Sequence, residues 1–194
     1  MDNINSTIIF EIGSKNTKAG FFGHSHPLTI FPTVTYNPKC CYGQYIKDNF
    51  YGNNVLTKRN AKLNFPVNSD FIVDMDNYEK IINYTYTNEL KVDSSLNSVI
   101  LTDTSYSNKE RKKVTQIMFE TFSVPSLYIA DQAALSLYSV GKLTGIVFDT
   151  GNINSRFVTV FDGFALSDAK IRFEIGESDI DKYKTSLVFS ENKG

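Results

Sequence analysis

The chain has 194 residues, 41% apolar and 13% aromatic, with a formal net charge of −1. That length and apolar share suit a globular protein with one large or two small cores. The near-zero charge argues against a basic nucleic-acid surface or a polybasic membrane patch, and no apolar run approaches the roughly 18 residues needed to span a bilayer.

In chain order, residues 1–7 are polar and predict a frayed start. Ile8-Ile9-Phe10 predicts an apolar strand that delivers Glu11 to a loop, Gly13-Ser14-Lys15-Asn16-Thr17, from which a second strand leaves over 18–22. A third strand is expected over Thr29 to Thr35, with Pro27 and Pro32 at its edges. Residues 36–62 change character: they are polar, carry Gly43, Gly52 and Asn53-Asn54, and lack an apolar period. This predicts a small mobile lobe or long insertion outside the core. Within it, Lys58-Arg59 reads as a solvated pair. Cys40 and Cys41 are adjacent, a spacing that disfavours pairing, and no further Cys or His completes a zinc site. With no leader pattern at the start, a reducing intracellular setting is the simplest expectation.

Asp76 or Asn77 is placed to cap a helix running to about Leu90, with Ile81, Ile82, Tyr84, Thr85 and Leu90 as its apolar stripe. Val99 to Asp103 predicts a buried strand ending in an acid. Ser107-Asn108 starts a helix from Lys109 to Phe122, with Val114, Ile117, Met118, Phe119 and Phe122 turned inward. Pro125 ends that unit. Leu127 to Ala130 reads as a short strand, and Asp131 caps a helix through Tyr138 that Gly141 stops. Residues 164–173 extend a later sheet. Ser178, with Asp181 three residues on, starts a last helix from Ile180 to Phe189, with Tyr183, Leu187 and Val188 on one face.

Between these lies a second copy of the opening pattern. Ile146-Val147-Phe148-Asp149-Thr150-Gly151 matches Ile8-Ile9-Phe10-Glu11-Ile12-Gly13 in residue type at every place but one, and a second strand follows over 157–161. The repeat predicts two related half-domains facing each other across a cleft. A carboxylate at a strand end, beside a glycine turn, can hold a phosphate and its divalent cation. Taken singly, each turn is equally an ordinary hairpin turn that uses Asp and Gly for backbone reasons.

Longer segments carry a family likeness. Thr115 to Phe122 followed by Pro125, Gln132 to Tyr138, Thr144 to Gly151, Lys18 to Phe21, Phe31-Pro32, Glu79 to Ile81 and Asn88 to Leu90 resemble the corresponding segments of actins, in order along the chain. The resemblance implies an α/β, actin-like ATPase (ribonuclease H-like) fold, incomplete because it matches the N-terminal half of an actin. Residues 1–35 and 63–140 would form the first large subdomain, 36–62 the small mobile subdomain, and 141–194 the beginning of the second half. The family's adenine pocket, fourth subdomain and C-terminal helices correspond to nothing in this sequence. If such helices normally cover the first sheet, apolar surface is expected to be exposed there.

The resemblance further implies a site for ATP with Mg²⁺ or Ca²⁺. Gly13, Ser14, Lys15 and Lys18 would form the first phosphate loop, and Asp149, Thr150, Gly151 and Asn152, followed by Ile153, the second. Glu11 and Asp149 would face the metal, Asp149 through its water shell, and Gln132 would orient the attacking water. Several positions depart from the family. Lys15 and Ile153 stand where it has glycine, a residue used there because a Cβ would obstruct the phosphate or demand an unfavourable φ. Asn152 replaces an acid, Arg156 a histidine near the attacking water, and Ser69 the histidine of a nucleotide-sensing loop. The expectation is a cytoplasmic, cytoskeletal actin-like protein with nucleotide binding weakened or lost. Its expected partners are actin or actin-binding proteins, with no nucleic acid and no membrane. The alternative is a divergent ATPase completed by a partner chain, with Lys15 and Arg156 adding phosphate-binding charge. Plainer readings stay open: Glu11 as a turn cap, Lys18 as a surface lysine, Gln132 as an ordinary first-turn residue.

Overall fold

Alternation of apolar residues builds the first sheet: Ile8, Phe10 and Ile12 are buried, while Ile9 and Glu11 between them are half-buried. The structure, a computed structural model, describes residues 6–36, 50–58, 62–68, 71–103 and 106–191. Cys40, Cys41, Arg59 and Ser69 therefore lie outside the described residues. The chain divides into two compact units, Met1–Ile129 and Ala130–Gly194.

In the first unit, β1 (Ile8–Ile12) pairs antiparallel with β2 (Asn16–Phe21), and β3 (Thr29–Pro32) pairs with β2 at the sheet edge, where a proline costs no inner ladder bond. The third strand expected over 29–35 is broken. Thr33 turns inward, its Oγ1 2.9 Å from that of Thr17, and β4 (Thr35–Tyr36) then pairs separately with β5 (Phe50–Tyr51). α1 (Asn53–Leu56) follows, and its Val55 is buried, so this part of the polar stretch differs from the expectation that it stays out of packed surroundings. β6 (Val67–Asn68) and β7 (Phe71–Ile72) form a small ribbon.

α2 (Met75–Tyr84) continues into a π-helical segment, Thr85–Leu90, and buries the whole expected stripe. Its cap is Asp74 rather than Asp76 or Asn77, because the Asp74 carboxylate accepts the Asn77 N–H at 3.0 Å. β8 (Val99–Asp103) lies parallel to β1. α3 (Asn108–Gln116) starts at Ser107 with a reciprocal capping box to Glu110. Phe119, expected inside, is exposed: residues Ile117–Thr121 wind as a π-helix, whose wider turn carries it off the apolar stripe. β9 (Leu127–Asp131) completes the sheet order β3-β2-β1-β8-β9.

The second unit begins with α4 (Gln132–Ser139), which Asp131 caps through the Ala133 N–H and which ends before Gly141 at φ +71°. β10 (Gly145–Thr150), β11 (Ser155–Phe161) and β12 (Phe164–Phe173) form an antiparallel meander, and α5 (Glu177–Glu191) follows. The turn from β11 to β12 has φ 47° at Asp162 and 84° at Gly163, the positive values that a two-residue hairpin with native twist requires. The Tyr138 hydroxyl donates to the Gly163 carbonyl at 3.0 Å and anchors α4 there. Ala133, Ala134 and Leu137 pack on Val158 and Val160, with Val147 and Ala165 beside them.

The other face of this sheet is bare. Ile146 is 70% exposed, Phe148 58% and Phe161 63%. Phe148 stacks on Phe157 at 4.5 Å, and Phe157 meets Phe173 edge-on at 5.9 Å. Apolar surface was expected on the first sheet, where Ile30 and Tyr128 are exposed; this aromatic face lies on the second, on the side of β10–β12 opposite α4. Tyr183, Leu187 and Val188 of α5 are exposed as well. Among the described residues, β10 and β12 form the edges of the second sheet. No helix among them is long and apolar enough to cross a membrane.

Candidate functional site

Each unit carries one acid-and-glycine hairpin, and the local geometry repeats. The Gly13 N–H donates to the Asn16 carbonyl at 3.0 Å; the Gly151 N–H donates to the Asn154 carbonyl at 2.8 Å. A Cβ on either glycine would come within 3.2 Å of that same carbonyl oxygen, so close approach is what selects glycine at both places. Among the described residues, the non-glycine residues with positive φ are Lys91, Ser123 and Asp162. Lys15 and Ile153 thus lie outside the positive-φ region, so of the two expected reasons for glycine there the φ reason does not apply. What remains of that argument is bulk toward a ligand.

In the first turn, Ser14 is half-buried and Lys15 exposed, and the Lys15 carbonyl accepts the Thr33 N–H at 2.9 Å. Glu11 stands directly opposite Lys18 in the β1–β2 register, and Lys18 Nζ reaches Glu11 Oε1 at 3.0 Å. Both side chains are well solvated, at 42% and 33% exposure, so the pair stabilises by at most about 1 kcal/mol. Lys18, the lysine assigned to phosphate by resemblance, lies along the sheet against Glu11.

The second turn is tighter. Asp149 stands directly opposite Arg156, which is 8% exposed. Arg156 Nη2 donates to Asp149 Oδ2 at 2.7 Å and to Gln132 Oε1 at 2.8 Å. Gln132 opens α4, next to Asp131, whose carboxylate also receives Lys170 Nζ at 2.9 Å. The guanidinium therefore ties the start of α4 to the end of β10. From beneath, the start of α5 holds the turn: the Glu177 N–H donates to the Gly151 carbonyl and the Ser178 N–H to the Asn152 carbonyl, each at 2.9 Å. Gly176 permits that approach, since a Cβ there would lie 2.5 Å from both the Asn152 oxygen and the Ile153 carbonyl carbon. Its N–H bonds Asp179 at 3.2 Å, and this bond, with Lys182 beyond it, holds the Asp179 carboxyl below its ordinary range.

The structure thus gathers Glu11, Gly13, Ser14, Lys15 and Lys18 around one turn, and Asp149, Thr150, Gly151, Asn152 and Gln132 around the other. Ser69 lies outside the described residues. Sequence reasoning treated Arg156 as a lost histidine and missed it as the link between Asp149 and Gln132. A signal was present: acid and base are seven residues apart in both hairpins, Glu11 to Lys18 and Asp149 to Arg156. Across so short a turn, that spacing makes direct cross-strand neighbours.

A divalent cation of the hard type takes carboxylate and carbonyl oxygens. At the second turn the Asp149 carboxylate is ion-paired, and the Gly151 and Asn152 carbonyls already accept N–H groups. Among the described residues, no group of three or more His, Cys, Asp or Glu side chains is placed to hold a metal. At the second turn a guanidinium already stands beside Asp149, where a cation would otherwise sit.

With this geometry in view, comparison with known proteins is direct. The family model described as Actin matches residues 2–193. Among curated proteins, the chain is 36% identical over 200 aligned residues to "Putative actin-29" of Dictyostelium discoideum, an alignment covering 100% of this chain and 51% of that protein. The chain spans about half the length of this relative.

Proposed function

The chain belongs to the actin family, and from that premise we propose that it is a cytoplasmic, cytoskeletal actin-like protein in which ATP and divalent-cation binding is weakened or lost. Its α/β architecture is that of the actin-like ATPase fold, over the part that half the relative's length covers. Within it we assign 1–35 and 63–140 to the first large subdomain, 36–62 to the small subdomain and 141–194 to the second half. The observation that carries the reading is the arginine bridge. The carboxylate assigned to the metal and the amide assigned to the attacking water are both engaged by Arg156. Actin or actin-binding proteins are the partners this reading implies.

Calorimetric titration of the purified chain with ATP, in Mg²⁺ and then in Ca²⁺, tests it. No binding is expected in the micromolar range, whereas submicromolar, metal-dependent affinity would overturn it. Cosedimentation with actin filaments tests the partner.

One observation favours a second reading, an ATPase completed by a partner chain: the bare aromatic face and open edge of the second sheet. Under that reading ATP turnover appears only with the partner present, and Gln132→Ala abolishes it.

A further inference from the structure

We propose that Arg156 is a resident cation standing in for a divalent metal ion at Asp149, closing the second turn to metals and holding Gln132 in place. The inference deepens the reading above and rests on it for the assignment of Asp149 and Gln132. Three observations carry it.

The first is position and burial. Arg156 is the direct cross-strand neighbour of Asp149 and is 8% exposed. A guanidinium keeps its charge at any physiological pH, so one this buried requires an anion beside it, and Asp149 supplies one at 2.7 Å. The second is geometry. Nη2 carries two hydrogens and serves two acceptors, Asp149 Oδ2 and Gln132 Oε1, so one nitrogen engages both side chains. An incoming metal would meet a positive charge already seated on Oδ2 of its carboxylate. The third is the backbone. The carbonyl oxygens of Gly151 and Asn152 each already accept one N–H from α5, which fixes the turn beneath Asp149.

The first turn has the same charge pattern without the same closure. Lys18 and Glu11 are solvated, and a flexible ammonium gives way where a buried, bridging guanidinium does not. The closed state is specific to the second turn.

The test titrates the full chain with Mn²⁺ alone and follows the backbone amide resonances of Thr150 to Ser155 by NMR, since a bound paramagnetic ion broadens nearby signals. Wild type is expected to stay sharp. R156Q is expected to broaden, with Mn²⁺ affinity about tenfold or more above wild type, and the double variant D149N/R156Q to lose that gain. Broadening in wild type that D149N removes would overturn the proposal, as would an R156Q chain of native near-ultraviolet dichroism that ignores Mn²⁺. If R156Q does not fold, the comparison of wild type with D149N decides alone. Nucleotide separates the two readings. ATP binding of equal strength in Mg²⁺ and in EDTA would overturn the loss of nucleotide binding and leave Arg156 as the resident cation. Binding that needs Mg²⁺ and vanishes in D149N would overturn both.

Discussion

Two ion pairs occupy equivalent places in the two hairpins, and burial separates their weight. Arg156 is the buried member of its pair, its side chain 10% exposed against 32% for Asp149, so R156Q leaves a carboxylate that water still reaches and is expected to cost about 2 kcal/mol through the lost charge-assisted hydrogen bonds. K18Q, at a solvated pair, is expected to change stability by no more than about 1 kcal/mol. Urea unfolding of both variants checks the contrast. Gly176→Ala is expected to cost about 3 kcal/mol in the same assay, because the added methyl meets backbone of residues 152 and 153, which has no rotamer to yield. Glu11, Gly13, Asp149 and Gly151 were legible in the sequence as turn-formers, because an acid and a glycine after an apolar run report local geometry. Gly176 was not, since its need comes from a turn more than twenty residues away. At Lys15 and Ile153 the sequence left two reasons for the family's glycine open, and the backbone removes the one that rests on φ.

At the level of elements, apolar runs placed the long strands well. β1, β8 and β12 have the expected ends, β10 falls where the repeat put it, and β11 starts two residues earlier, at Ser155. Caps were harder. Asp74, Asp76 and Asn77 all offer a capping side chain, and only the fold shows which one precedes the first turn. D74A is expected to lower stability by about 1 kcal/mol and D76A by a few tenths at most, reversing the order the sequence suggested; thermal melts of the two variants check it. At α3 the start at Ser107-Asn108 was legible, and the structure adds Glu110 as the reciprocal partner of Ser107. The Glu110 carboxyl also accepts the Ile72 N–H at 2.7 Å. Burial acts to raise its pKa, but the bonds from Ser107 and Ile72 prevail and hold it low. The π-helical segments left no trace in residue spacing, which is why Phe119 was assigned to the core.

Across the whole molecule, buried phenols set an alkaline limit. Burial, helped by Glu89, pushes the Tyr84 hydroxyl up to about 12 from an ordinary 10. Tyr78 and Tyr106, whose hydroxyls lie 3.0 Å apart, are raised chiefly by burial as well, and so is Tyr86. Above pH 10 the unfolded chain releases phenolic protons that the folded chain keeps, so this stability is intact below pH 10 and is lost progressively toward pH 12. Melting temperature, followed by circular dichroism across that range, is expected to fall steeply. The internal repeat was legible as topology: in each unit an antiparallel hairpin is extended by a third strand. Beyond that the sheets diverge, because β1 gains β8 on its outer side while β10, among the described residues, gains no counterpart. The uncovered Ile146, Phe148 and Phe161 bear on how the native state is recognised at the bench. A fluorophore that lights up on greasy surface will glow with the properly folded chain at room temperature, so dye-monitored melting starts from a bright baseline that mimics a molten globule. Near-ultraviolet ellipticity, which reports fixed ring packing such as Phe148 on Phe157, is the signal that tells the two apart.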